Sequence, residues 1–230
     1  MLRIDGLDAH YGLFQALFGV SMHIKPGETV ALIGSNGAGK TTLMRALAGA
    51  LKVRHDSVVF DGEPVGGEAE RRQLARGIAL VPEGRRLFAS LTVGENLALA
   101  ARNGRPGPWT VERILKALPV LSDLLKRPAT ALSGGQQQLV AIARGLVCNP
   151  AYLLCDEVSL GLSPLVVEEV YRLLAVAREG GVAILLVEQN VRRALSDSDR
   201  FVCLQKGRVV LEGVSAEADQ QAVAQAYFGV

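Results

Sequence analysis

The residues Gly34-Ser35-Asn36-Gly37-Ala38-Gly39-Lys40-Thr41 follow the spacing G-x-x-x-x-G-K-S/T, a pattern whose backbone cradles phosphate. Glycines at 34, 37 and 39 let the chain turn closely enough for successive N–H groups, those of Ser35, Asn36 and Ala38 among them, to face the β-phosphate of a nucleotide. Lys40 is then expected to reach the β- and γ-phosphate oxygens. Thr41 offers its hydroxyl to Mg2+, and Thr42 follows in the same cradle. A second constellation, Tyr152-Leu153-Leu154-Cys155-Asp156-Glu157, sets two carboxylates at the end of an apolar strand. Asp156 suits Mg2+ held through a water, and Glu157 suits polarisation of an attacking water. Together the two constellations describe cleavage of a nucleoside triphosphate with Mg2+.

Such groups need a strand, a loop and a helix in that order. The chain supplies TVALIG before the cradle and a helical pattern over about 40–51 after it. Before them come two strand-like runs, LRIDGLDAHY and ALFGVSMHI, and after them a hairpin-like SVVFDGEPV, a polar helix near 68–76 and the strand GIALV. Residues 92–147 read as helices: TVGENLALAAR, VERILKALPVLSDLLK and GGQQQLVAIARGLV, with NGRPGPW as a linker by composition. Alternation then returns with AYLLCD, PLVVEEVYRLLAVAR, VAILLVEQ and RFVCLQKGRVVLEG, and SAEADQQAVAQAYFGV closes the chain as a short amphipathic helix. Strands alternating with helices predict an α/β fold with a mainly parallel sheet covered on both faces.

A chain of 230 residues is ample for a real core. Its 25 basic and 23 acidic residues nearly cancel and form no like-charged run, so nucleic acid is not expected as the main partner. Cys148, Cys155 and Cys203 are odd in number, far apart and set in apolar surroundings, as buried thiols of a reducing compartment would be. The start lacks the continuous apolar run of a signal peptide, and VAILLV at 182–187 is too short to cross a bilayer. A cytoplasmic protein is expected, meeting a membrane only through another protein.

Leu132-Ser133-Gly134-Gly135-Gln136, upstream of the paired carboxylates, resembles the signature of the ATP-binding-cassette family. With the other two motifs the likeness extends from Tyr11 to about residue 190. It implies a P-loop NTPase core at about 1–90 and 149–230 with an N-terminal antiparallel β subdomain, and an inserted helical subdomain at about 91–148. It also implies a head-to-tail dimer that buries two ATP molecules, each touching Lys40 of one chain and Ser133 of the other. Ser133, Gly134 and Gly135, with Gln136, begin a helix whose N–H groups meet the γ-phosphate of ATP and lose it with ADP. Tyr11 resembles the aromatic that stacks on adenine, with Val20 adding an apolar contact to the ring.

Several positions depart from the family's common pattern. Glu83 stands in place of the glutamine that couples hydrolysis to the partner, and it still suits Mg2+ or the attacking water. Gln189 replaces the histidine expected at the γ-phosphate; it donates a hydrogen bond but carries no proton at neutral pH, so it fits positioning while Glu157 remains the base. Ser163 replaces an aspartate and Val158 a proline, the latter read as tolerable because only backbone direction is at stake. VPEGRR, VEQN and SLGLSP together resemble the second ATPase subunit of branched-chain amino acid importers, and a urea or short-amide importer subunit matches nearly as well. The resemblance implies a sister ATPase or a second copy as dimer partner, two permease subunits and an extracytoplasmic solute-binding protein, at the cytoplasmic face of the plasma membrane. Glu83, Arg85, Arg86, Leu87 and Phe88, with Leu91 through Leu99, are expected to form the groove that receives the permease. A non-transport cassette ATPase and a regulatory ATP-binding module are the alternatives.

Overall fold

The computed structural model describes residues 1–228, so the last two residues of the expected C-terminal helix lie outside the described residues. Two sheets build the frame. Alternating apolar residues in β1 (Leu2–Tyr11) and β2 (Phe14–Ile24) pair antiparallel, and β4 (Val58–Phe60) and β5 (Glu63–Pro64) complete a four-stranded sheet in the order β2-β1-β4-β5. The six-stranded sheet contains β3 (Thr29–Ile33), β6 (Ile78–Val81, reached through the helix α2, Glu70–Arg76), β7 (Tyr152–Asp156), β8 (Ala183–Val187), β9 (Arg200–Gln205) and β10 (Arg208–Val214). Its order is β10-β9-β3-β8-β7-β6, parallel from β9 to β6, with β10 antiparallel at the edge.

The middle strands β3, β7 and β8 are buried at every position, as a parallel sheet covered on both faces requires. Side chains alternate between two cores. Val30, Leu32, Leu154 and Leu185 join Leu43, Met44 and Leu47 of α1 (Lys40–Leu47) and the inner face of the antiparallel sheet. Leu153, Cys155, Ile184 and Leu186 join Val170, Leu173 and Ala177 of α6 (Pro164–Glu179) on the other face. The helical lobe of α3 (Val93–Asn103), α4 (Val111–Ala117) and α5 (Gly134–Leu146) shares this second core through Leu97, Ile114 and Leu139. A small third core lies under α7 (Val191–Ser196) and α8 (Gln220–Phe228), where Ala194 and Val223 meet Ile33 and Phe201. The three cysteines are buried and free, and burial raises the thiols of Cys148 and Cys203 to about 11.

Four expectations need correction. The helix expected over 40–51 ends at Leu47, because Gly49 turns the chain at φ 79 against the backbone of Glu68. The helix expected over 111–126 stops at Ala117; Pro119 lacks an N–H and holds Leu118 out of the helical region, so a 3-10 turn follows at Pro119–Leu124. The NGRPGPW segment is anchored. Trp109 is buried, its backbone N–H donates to Asn149 Oδ1 at 2.7 Å, and the Arg113 guanidinium lies 4.2 Å from its ring centre. Val158 is also buried and packs in the second core, so its side chain matters as well as its backbone. The short helix α7 was not anticipated; Asn190 caps it by accepting from the Arg193 N–H at 3.1 Å. No described helix is long and apolar enough to cross a membrane.

Candidate functional site

Parallel pairing brings the chemistry-bearing residues to one edge of the sheet. Val81 stands beside Cys155 and Asp156 beside Val187, so the chain leaves β6 at Glu83, β7 at Asp156 and Glu157, and β8 at Gln189 along the same carboxyl edge. The loop after β3 opens on that edge too, where α/β sheets place their ligands. These segments line a cleft of about 800 Å3.

Loop 34–39 runs from the end of β3 into α1, with Gly39 capping the helix at φ 109. A Cβ on Gly34 would lie 2.3 Å from the carbonyl oxygen of Leu204, so only glycine lets the loop pass β9. Gly34→Ala is expected to lower unfolding stability by about 1–3 kcal/mol, read as a reduced urea midpoint. A midpoint equal to that of the unmodified protein would contradict this close approach. Lys40 is folded back over the loop, its Nζ donating to the carbonyls of Gly34 at 2.6 Å and Ser35 at 3.1 Å. Burial lowers its pKa, while the charges of Glu157 and Asp156 act in the opposite direction. A cation held there by backbone oxygens is ready to exchange them for phosphate oxygens.

Asp156 is 3% exposed and accepts from the Thr41 hydroxyl at 3.4 Å. Burial, joined by the charges of Glu157 and Glu83, raises its carboxyl to about 6 despite the Thr41 bond and the Lys40 charge. A carboxylate so poorly compensated is a fit for a hard dication, and a lone Asp with a Thr hydroxyl matches the sparse protein ligation that Mg2+ accepts. Glu83 lines the same cleft from the end of β6. Glu157 adopts φ 51, unusual for a residue with a Cβ, and this left-handed turn carries its side chain into the cleft. Its backbone N–H donates to Val187 O at 3.2 Å, and Gln189 Nε2 donates to its Oε2 at 2.7 Å. Gln189 thus contacts the carboxylate expected to act as base.

Tyr11 is 41% exposed at the cleft mouth, with Arg45 donating to its hydroxyl at 3.5 Å. Val20 is not there. It is fully buried in the core between the sheets and paired with Leu7, because a bulge between the Ala9–Leu17 and Leu7–Val20 pairings, with Gly19 at φ 63, inserts a residue into β2 and turns Val20 inward with Leu17 while Ala16 and Phe18 line the cleft. Phe14, Phe18, Leu160 and Lys206 also line the cleft and were absent from the sequence-based set. A strand's two-residue period could have found Phe18 from the buried Leu17, whereas Lys206 arrives from a distant hairpin turn.

Ser133 caps α5: its Oγ accepts from Gln136 N–H at 3.3 Å, and its own N–H donates to Gln136 Oε1 at 3.0 Å. Neither it nor Gly134 or Gly135 lines the cleft, so the signature and the cradle do not meet within one chain. Both glycines also have packing reasons, since a Cβ would lie 2.7 Å from Val166 Cγ2 at Gly135 and 2.9 Å from Arg85 Nη2 at Gly134. Nearby, Gly84, Arg85 and Arg86 all have positive φ, and Arg144 secures the turn by donating to Arg86 O at 2.6 Å and Arg85 O at 3.1 Å. Arg85 is itself bound to Gln137 Oε1 at 3.2 Å, while Phe88 stays half exposed. Arg86, Arg45, Glu70 and Arg144 border a second cleft of about 450 Å3.

Residues 17–159 match the ABC transporter family. The chain is 40% identical over 218 residues to the high-affinity branched-chain amino acid transport ATP-binding protein BraG of Pseudomonas aeruginosa, covering 94% of each chain. It is 37% identical over 220 residues to the probable branched-chain amino acid transport ATP-binding protein LivF of Archaeoglobus fulgidus, covering 94% of this chain and 93% of that one. Its fold superposes on a solved dimeric ATP-binding cassette in a post-hydrolysis state with ADP and Pi, at a TM-score of 0.81 and 26% identity, covering 94% of this chain and 99% of that one.

Proposed function

This chain belongs to the ABC transporter family and is an ATPase subunit of it; from that premise we propose that it powers an importer of branched-chain amino acids. The observation that carries the solute class is the near full-length similarity to BraG. In this reading Lys40 and the N–H groups of residues 34–42 hold the phosphates, and Tyr11 stacks on adenine with Phe18 beside it. Thr41 and Asp156, with Glu83 near, would hold Mg2+, which when bound supplies charge neutralisation to the phosphates. Glu157 takes the proton of the attacking water, and Gln189 orients that carboxylate.

Cassettes of this family form dimers. The separation of Ser133 from the cleft within one chain supports a head-to-tail pair in which the α5 N-terminus of the partner closes on the γ-phosphate. The partner is a sister subunit or a second copy, two permease subunits take up the motion, and an external solute-binding protein delivers cargo. The chain is then peripheral at the cytoplasmic face of the inner membrane. Residues 91–148 act as the helical lobe and about 1–90 with 149–230 as the core. Phe88 and the Arg85–Arg86 turn, braced by Arg144, form the wall that meets the permease.

The test is reconstitution with the sister subunit and permease in liposomes. ATP hydrolysis should rise severalfold with a binding protein loaded with leucine, isoleucine or valine and stay basal with urea- or amide-loaded binders. Stimulation by the urea or amide binder alone would reassign the solute. Hydrolysis indifferent to every binder would remove the importer role.

A further inference from the structure

Glu188 is a buried carboxylate that hydrolysis as described does not use. It is 3% exposed, directly after β8, and none of the ion pairs among the described residues includes it. A charge so placed is expensive unless hydrogen bonds compensate it. Ser159, two residues beyond Glu157, donates its hydroxyl to Glu188 Oε1. The buried Tyr171 hydroxyl lies beside the same carboxylate; burial first, and then that charge, push it well above its usual pKa of 10.

The Ser159 bond is one of three that cross between the loops after β7 and β8. Glu157 N–H donates to Val187 O at 3.2 Å, Ser159 Oγ to Glu188, and Gln189 Nε2 to Glu157 Oε2 at 2.7 Å. Along 187–189 they follow one another residue by residue, so the partly buried Ser159–Glu188 bond stands beside the bond made in the open cleft. Glu157 needs such bracing because its φ of 51 is unfavourable for a side chain with a Cβ and persists only where its surroundings over-determine it. Solvent can compete for the Gln189–Glu157 bond, whose donor side chain is exposed, but far less for the partly buried Ser159–Glu188 pair.

We propose that Ser159 and Glu188 are positioning residues, a partly buried latch that holds Glu157 in its left-handed turn and in register with Gln189. The latch deepens the reading of Glu157 as base and rests on it. Neither residue lines the cleft, so loss of the latch misplaces the base without weakening ATP binding.

The test compares steady-state ATP hydrolysis by the reconstituted complex carrying Ser159→Ala, Glu188→Ala, both together, Glu188→Gln or Glu157→Gln. Ser159→Ala should lower kcat about tenfold or more, the scale of a hydrogen bond to a charged group, with KM for ATP within about twofold. The double variant should lose no more than the larger single loss, because both changes break one bond. Glu188→Gln, which keeps an acceptor oxygen and the volume, should remain within about threefold of the unmodified complex. Wild-type kcat in Ser159→Ala, additive losses in the double variant, or a loss carried by KM would each overturn the latch. If Glu188→Ala fails to fold, Ser159→Ala and Glu188→Gln still decide. Full activity in Ser159→Ala beside an inactive Glu157→Gln leaves the base in place and removes only the latch, whereas an active Glu157→Gln removes the base itself.

Discussion

Replacing Glu157 by glutamine is expected to lower kcat by about 10²- to 10³-fold while leaving ATP affinity within about threefold. The substitution changes little except the ability to accept a proton. Glutamine has the same shape, and its amide oxygen can still accept from Gln189 Nε2, now 2.7 Å from Glu157 Oε2. The groups proposed to grip phosphate, Lys40 and the loop N–H groups, are not altered. Bound ATP therefore persists, and the ATP-bound dimer should accumulate instead of turning over. Single-turnover hydrolysis and nucleotide titration separate the two effects, and light scattering with ATP present reports the dimer. Retention of more than a tenth of the normal rate would show that another group takes the proton. Gln189 is a poor substitute because its amide does not titrate.

The cradle and the paired carboxylates were legible because their chemistry is local: a fixed spacing of glycines, lysine and threonine, and two acids at the end of an apolar run, each carry their meaning within eight residues. The parallel sheet followed from short apolar strands alternating with helices. Packing on the Tyr11 side of the cleft was less legible, because it depends on which face of β2 turns inward. Val20, expected at the ring, lies in the core, where the bulge between the Leu17 and Val20 pairings turns it toward Leu7, and Phe18 lines the cleft. Trp109 was masked by a neighbourhood of Gly and Pro that reads as linker, although its burial anchors that segment. The role of Gln189 as a donor to Glu157 depends on the pairing of β7 with β8 and on a left-handed residue, neither of which is written in the spacing of the motifs.

Asp156→Asn should abolish Mg2+-dependent hydrolysis, by about 10²-fold or more, and at the same time make the nucleotide-free protein more stable. The second half follows from the raised carboxyl. Asp156 ionises at about 6 in the fold against an ordinary 3.8, chiefly because it is buried and then because Glu157 and Glu83 add like charge. A group whose folded pKa is raised contributes its full stability below the unfolded value and loses it as pH rises through the folded one, here between 3.8 and about 6. Above that window the ionised carboxylate is a standing cost of about 2–3 kcal/mol. Asparagine removes the charge, fits the same space and still accepts from the Thr41 hydroxyl. Urea unfolding in EDTA without nucleotide should place the variant above the unmodified protein at pH 8. The advantage should shrink by about 1 kcal/mol at pH 5, where most of the native carboxyl is already protonated. A variant no more stable at pH 8 would mean that other contacts already compensate Asp156 in the empty cleft. If the expected gain is seen, Asp156 is a carboxylate kept at the expense of the fold because its charge is needed when nucleotide and metal arrive.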